Sequence, residues 1–120
     1  MPQLPTSFSA YGFSGGNALL NHTAVDIQAG PTTISVIESA KNTNGTDCYL
    51  LIYNAKAANV VVGTTIPARI IPILAGTKYS QEFAVGGMFF ASAVSVAMVM
   101  TTATGNTTVT TPFGVDVIYQ

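Results

Sequence analysis

Charged side chains are scarce in this chain. They make up 8% of the 120 residues, against about 25% in an ordinary soluble domain. The four cations, Lys41, Lys56, Arg69 and Lys78, stand one at a time. Without a basic cluster to neutralise phosphates, nucleic acid is not an expected partner. The single cysteine, Cys48, rules out an intramolecular disulfide framework. It lies in the apolar run Cys48-Tyr49-Leu50-Leu51-Ile52-Tyr53 and reads as a small buried hydrophobe. The single histidine, His22, would have to serve any Ser–His–Asp or Cys–His machinery. No G-x-S-x-G elbow surrounds a serine, so His22 reads as structural and no catalytic residue is expected. The acids Asp26, Glu38, Asp47, Glu82 and Asp116 are far apart, and no D-x-D or H-x-x-x-H spacing offers metal ligands. Tryptophan is absent, which speaks against a sugar-stacking cleft with paired carboxylates. Neither Gly15-Gly16 nor Gly86-Gly87 leads into Gly-Lys-Ser/Thr, so no phosphate loop and no cofactor are expected. Asn21, Asn44 and Asn106 match the glycosylation acceptor pattern by chance in a Thr-rich chain. Residues 1–5 have neither a basic region nor an apolar core of a secretion leader, so the chain is expected to be made and kept in a cytoplasm or to leave it by a route other than secretion.

What is present is a normal apolar content, 48%, with Thr, Ser, Asn and Gly in place of charge. Disorder does not fit, because disordered chains are charge-rich and apolar-poor. Charge depletion marks the cores of protein interfaces, and a net charge of −1 gives little protection against self-association. Both favour a subunit of a larger assembly. A length of 120 residues suits one domain.

The strongest apolar run spans residues 84–100, where Ser92 and Ser95 are the polar side chains. Large residues fall on even positions (Met88, Phe90, Val94, Val96, Met98, Met100) and small ones on odd positions (Ala91, Ala93, Ser95, Ala97). Period two means a strand, with one face in the core and the other closely approached. A membrane helix would need about 20 apolar residues and has no reason to sort them this way; no membrane is expected as a partner.

Further strands are expected over 23–28, 32–40, 48–53, 59–62, 69–74, 78–85 and 109–119. Asn44-Gly45 carries a hairpin-turn signal, and Gly86-Gly87 is expected to turn the chain. Pro72 assigns its strand to an edge or a bulge. Seven or eight short strands with Gly, Pro and Asn turns, and no helical period, predict an all-β fold: a single-domain antiparallel β-sandwich, jelly-roll-like. Residues 18–120 form that domain. Residues 1–17, uncharged and rich in Pro, Ser and Gly, read as an extended arm. Its aromatics, Phe8, Tyr11 and Phe13, are the candidate anchors on a partner.

Four segments carry a resemblance: Tyr49-Leu50-Leu51-Ile52-Tyr53-Asn54, Val62-Gly63-Thr64-Thr65-Ile66-Pro67, Ile71-Pro72-Ile73-Leu74-Ala75-Gly76 and Gly86-Gly87-Met88-Phe89-Phe90-Ala91-Ser92-Ala93. In this order they resemble a group of small structural proteins of tailed bacteriophages. The likeness covers residues 32–120 and leaves out the arm. Leu74 stands where the group has Pro, and Ala93 where it often has Gly. The resemblance implies a virion component on the outer capsid surface: a capsid decoration or cement protein that binds the major capsid protein. It implies no catalytic residue. Capsid symmetry makes a homotrimer or homodimer the expected unit. The alternative is a tail, collar or head-fibre module that binds another virion protein or a host surface glycan.

Overall fold

The computed structural model describes residues 6–10, 20–83 and 86–119. These form nine strands: β1 (Thr6–Ala10), β2 (Val25–Gln28), β3 (Thr32–Ser39), β4 (Cys48–Tyr53), β5 (Arg69–Ile73), β6 (Ser80–Glu82), β7 (Met88–Phe90), β8 (Val94–Met100) and β9 (Val115–Tyr119). One 3-10 turn, Ala57–Asn59, is the sole helical element among the described residues. No helix among them is long and apolar enough to cross a membrane. The strands make two antiparallel sheets. In the first, the order is β1-β9-β3-β6, with β7 also on β3. In the second it is β2-β8-β4-β5. The fold is all-β and sandwich-like.

The core lies between the sheets. Ile34, Ile37, Met88, Phe90, Val115 and Val117 come from one side; Leu50, Ile52, Ile71, Ile73, Val94, Val96 and Met98 come from the other. A bulge in the pairing of β3 with β9, between Ile34 and Val36, puts both Ile34 and Ile37 in the core despite their odd spacing.

The run over 84–100 divides where a single strand was expected. Met88–Phe90 pairs in the first sheet and Val94–Met100 in the second. Ala91, Ser92 and Ala93 cross between them. The Asn54 Oδ1 holds the crossing, accepting from the Ser92 amide at 2.9 Å and the Ala93 amide at 3.4 Å. The large even positions on either side of the crossing point inward, because the core lies between the two sheets and each sheet's inner face looks at it; Ser92, within the crossing, is exposed. The odd positions behave as their size suggests. Ser95 and Ala97 are buried on the outer face of the second sheet, under the segment 54–67. The Ser95 hydroxyl donates to the Ala55 carbonyl at 2.8 Å, and Asp26 Oδ1 accepts from the Ala57 amide at 2.7 Å. Leu51, Tyr53, Ala97 and Val99 form a second, smaller core there, against Val60 and Val62. Hence β4 and β8 are buried on both faces.

Three local expectations are corrected. Residues 59–62 are not a strand: the chain leaves the 3-10 turn and lies flat on the outer face, and Val60 and Val62 alternate because they pack downward. Asn44-Gly45 is not a hairpin turn. It joins β3 in one sheet to β4 in the other, and Gly45 is not among the positive-φ glycines. Gly86-Gly87 has positive φ, +96° and +65°, but does not turn the chain back as expected. β6 and β7 both run antiparallel to β3, at Val36–Glu38 and Thr32–Ile34, so the two strands share one direction along the same edge. Pro72 does sit in an edge strand, β5, as its missing N–H requires.

Candidate functional site

The predicted anchors are only partly placed. Phe8 lies in β1 opposite Val117 of β9. Tyr11 and Phe13 lie outside the described residues.

The chemistry-bearing residues are dispersed. His22 is half-buried; its Nδ1 lies 3.3 Å from both Asn21 Oδ1 and Thr108 Oγ1. Asp26 and Asp47 serve the backbone: Asp47 Oδ1 accepts from the Ala75 amide at 2.9 Å. Glu38 and Asp116 face each other across β3 and β9, and Asp116 Oδ1 is buried with no hydrogen-bond partner among the described residues. No three metal-ligating side chains gather among the described residues. Cys48 is fully buried. Desolvation pushes its thiol up from the ordinary 9.0, assisted by the nearby Asp47 charge and opposed by hydrogen bonds from Asn42 and Asn44.

The asparagines carry a role that sequence reasoning missed. Asn42 and Asn44 are buried and join three loops. Asn42 Nδ2 donates to the carbonyls of Ile73 at 2.9 Å and Thr46 at 3.2 Å. Its Oδ1 accepts from the Asn44 amide at 3.0 Å and Asn44 Nδ2 at 2.9 Å. Asn44 in turn exchanges bonds with Thr111, accepting from its amide at 2.7 Å and donating to its carbonyl at 3.0 Å. This network is why Asn replaces charge in the loops: an amide both donates and accepts without the cost of burying an ion.

The surface feature most open to a partner is apolar. Val61, Ile66, Ile70 and Leu74 are exposed, Ile66 to 89%. All four belong to β5 or its flanking loops. A cavity of about 180 Å³ opens there, lined by Leu51, Tyr53, Ile66, Pro67 and Ile70. A second, of about 350 Å³, shares Ile70 and is lined by Arg69, Ile71, Phe83, Gly87 and Met88. Phe89, 64% exposed, stands on β7 at the edge of the other sheet. The sequence signal for this surface was the shortage of charge in residues 57–77, where only Arg69 is ionisable.

Tyr53 lies beneath the smaller cavity. It is 1% exposed, and its hydroxyl has no hydrogen-bond partner among the described residues. A buried hydroxyl without a partner is costly, so Tyr53→Phe is expected to leave stability unchanged or raise it by about 1 kcal/mol. The pH dependence follows from burial, which raises the phenol above its ordinary 10.0. Above pH 10.0 the unfolded chain loses this proton while the folded chain keeps it, so stability falls as pH rises. Tyr53→Phe removes that contribution and leaves those of Cys48 and Tyr79, which burial also raises. Urea unfolding at pH 7 and pH 10.5 checks both points. A clear loss of stability at pH 7 would mean that the hydroxyl has a partner.

Compared with protein-family models, curated proteins and solved structures, the chain matches none.

Proposed function

We propose that this protein is a structural subunit of a bacteriophage virion, a capsid decoration (cement) protein that binds the major capsid protein and strengthens the shell. The observation that carries the proposal is the surface. Where an ordinary domain would place Lys and Glu, this one exposes Val61, Ile66, Ile70, Leu74 and Phe89. Several large exposed apolar side chains on a chain with 8% charge mark surface meant to be covered. The resemblance of residues 32–120 to small structural proteins of tailed phages supports the same reading.

In this reading the sandwich is of the jelly-roll kind and residues 1–17 act as an arm, with Phe8, Tyr11 and Phe13 as anchors on the shell. The protein attaches as a homotrimer or homodimer at the outer capsid surface. Many copies at fixed geometry make modest individual contacts collectively strong. No catalytic residue, metal or cofactor takes part.

Co-sedimentation with mature, empty phage shells tests the proposal. Saturable binding at a fixed ratio to the major capsid protein is the expected result; free protein in the supernatant at every shell concentration would overturn it. Light scattering on the free protein reads the oligomer. Deleting residues 1–16 removes β1 from the edge of β9. The shortened chain is expected to keep its cooperative unfolding and to occupy the shell at least tenfold less well. Full occupancy after the deletion would dismiss the arm as an anchor.

A further inference from the structure

Arg69 stands where the strand pattern calls for a core residue. Along β5, Arg69, Ile71 and Ile73 share one face. Ile71 and Ile73 are in the main core, whereas Arg69, at the strand's first position, is exposed. No ion pair or side-chain hydrogen bond engages its guanidinium among the described residues. Beside it lies the cavity of about 350 Å³.

The cavity has a structural cause. β5 is the edge of one sheet, and β6 with β7 is the edge of the other. Arg69, Ile70 and Ile71 of β5 and Phe83, Gly87 and Met88, in or beside β6 and β7, line the recess between these two edges. Ile71 and Met88 are core residues, and Phe83 packs against that core. All three line the opening together with Ile70, which is 44% exposed. The result is an apolar recess reaching inner-face side chains, with one cation at its mouth. Its volume is at the lower end of the range for small-molecule sites, about 300–1,000 Å³.

We propose that this opening binds a small apolar carboxylate, a medium-chain acyl group with a free acid. The acyl body lies against Ile71, Phe83 and Met88, and the carboxylate meets the Arg69 guanidinium. Charge complementarity selects the headgroup: guanidinium pairs with carboxylate through parallel N–H donors, and no acidic residue among the described residues lines the recess to compete. A site for a neutral hydrocarbon would not need a cation on the core-facing side of a strand. Pro72, which offers no N–H for pairing, disfavours an added β-strand as the occupant of this edge. This inference does not depend on the virion reading.

Decanoate, below its micellar concentration, is the probe. Titration into the full chain, followed by calorimetry and by methyl NMR shifts, is expected to give saturable one-to-one binding with the largest shifts at Met88 and Ile71. Decan-1-ol is expected to bind about fivefold more weakly, since an exposed ion pair adds at most a modest increment. Arg69→Gln, a change at an exposed position, should bring decanoate down to the level of decanol and leave decanol unchanged. Ile70→Glu, also on the rim, should reject decanoate selectively. No saturable binding, shifts centred elsewhere, or equal decanoate affinity in wild type and Arg69→Gln would overturn the proposal.

Discussion

Asn42→Ala is expected to cost about 3–4 kcal/mol, because several buried backbone and side-chain groups lose their partners at once and each orphaned group costs about 1–3 kcal/mol. The side chain is fully buried. Its amide serves the Ile73 carbonyl at the end of β5, and its oxygen receives two donors from Asn44. The main chain of Asn42 bonds Thr77 and Gly76 at 2.8 Å each, so this residue fixes the loops after β3 and after β5 against one another. A loss of this size is a large share of a domain's total stability, about 5–15 kcal/mol. Asn42→Asp is no rescue: it keeps the acceptors but removes the donor to Ile73 and buries a charge. Thr43→Ala, next in sequence and exposed, is the control and should be near neutral. Urea unfolding of the three variants decides the matter. A midpoint for Asn42→Ala close to that of Thr43→Ala would show that the network contributes little.

Gly87→Ala is expected to be nearly as damaging, although it adds a single methyl group. Gly87 has φ +65°, and a Cβ there would come within 2.6 Å of both the Ile34 carbonyl oxygen and Thr33 Cγ2. The oxygen belongs to the backbone of β3 and cannot swing aside as a side chain could. Left-handed strain of about 1–2 kcal/mol adds to overpacking of about 1–3 kcal/mol, which predicts a loss of about 3 kcal/mol. Gly86→Ala separates the two causes. Gly86 has φ +96° but nothing within 4 Å of a Cβ, so only the conformational strain applies and the loss should be about 1–2 kcal/mol. Equal losses for the two variants would remove the close approach to β3 from the explanation. Hydrogen exchange should also show the amides of β7 opening first in Gly87→Ala.

The strands were legible to different degrees, and the differences have physical causes. Cys48–Tyr53 appears in the structure with the bounds its apolar run suggests, because β4 is central in its sheet and buried on both faces. Arg69–Ile73 is an edge strand, as Pro72 requires. Asn44-Gly45 misled because a turn signal reports only that two residues tolerate a conformation. It does not report that Asn44 is drawn inward by Thr111, 67 positions away. Val60 and Val62 misled for a related reason: a segment lying flat on a sheet alternates as a strand does, without a strand partner. Of the candidate site, the shortage of charge was visible in the sequence. The exposed grouping of Val61, Ile66, Ile70 and Leu74 was not, since their neighbours in sequence do not show which face is covered.

Period two and β-branched composition are local properties, so the chain's all-β character and the inward parity of Met88, Phe90, Val94, Val96 and Met98 could be read without a structure. The division of that one run between two sheets could not. Nor could the capping of β4 and β8 by residues 54–67, or the opening beside Arg69. Each depends on which strand edges meet, and that is set by contacts between residues far apart in the chain: the hydrogen bonds from the Ser92 and Ala93 amides to Asn54, from Ser95 to Ala55, and from Asn42 to Ile73. The energy of such bonds exists only once the chain has closed on itself, and tertiary packing alone selects them.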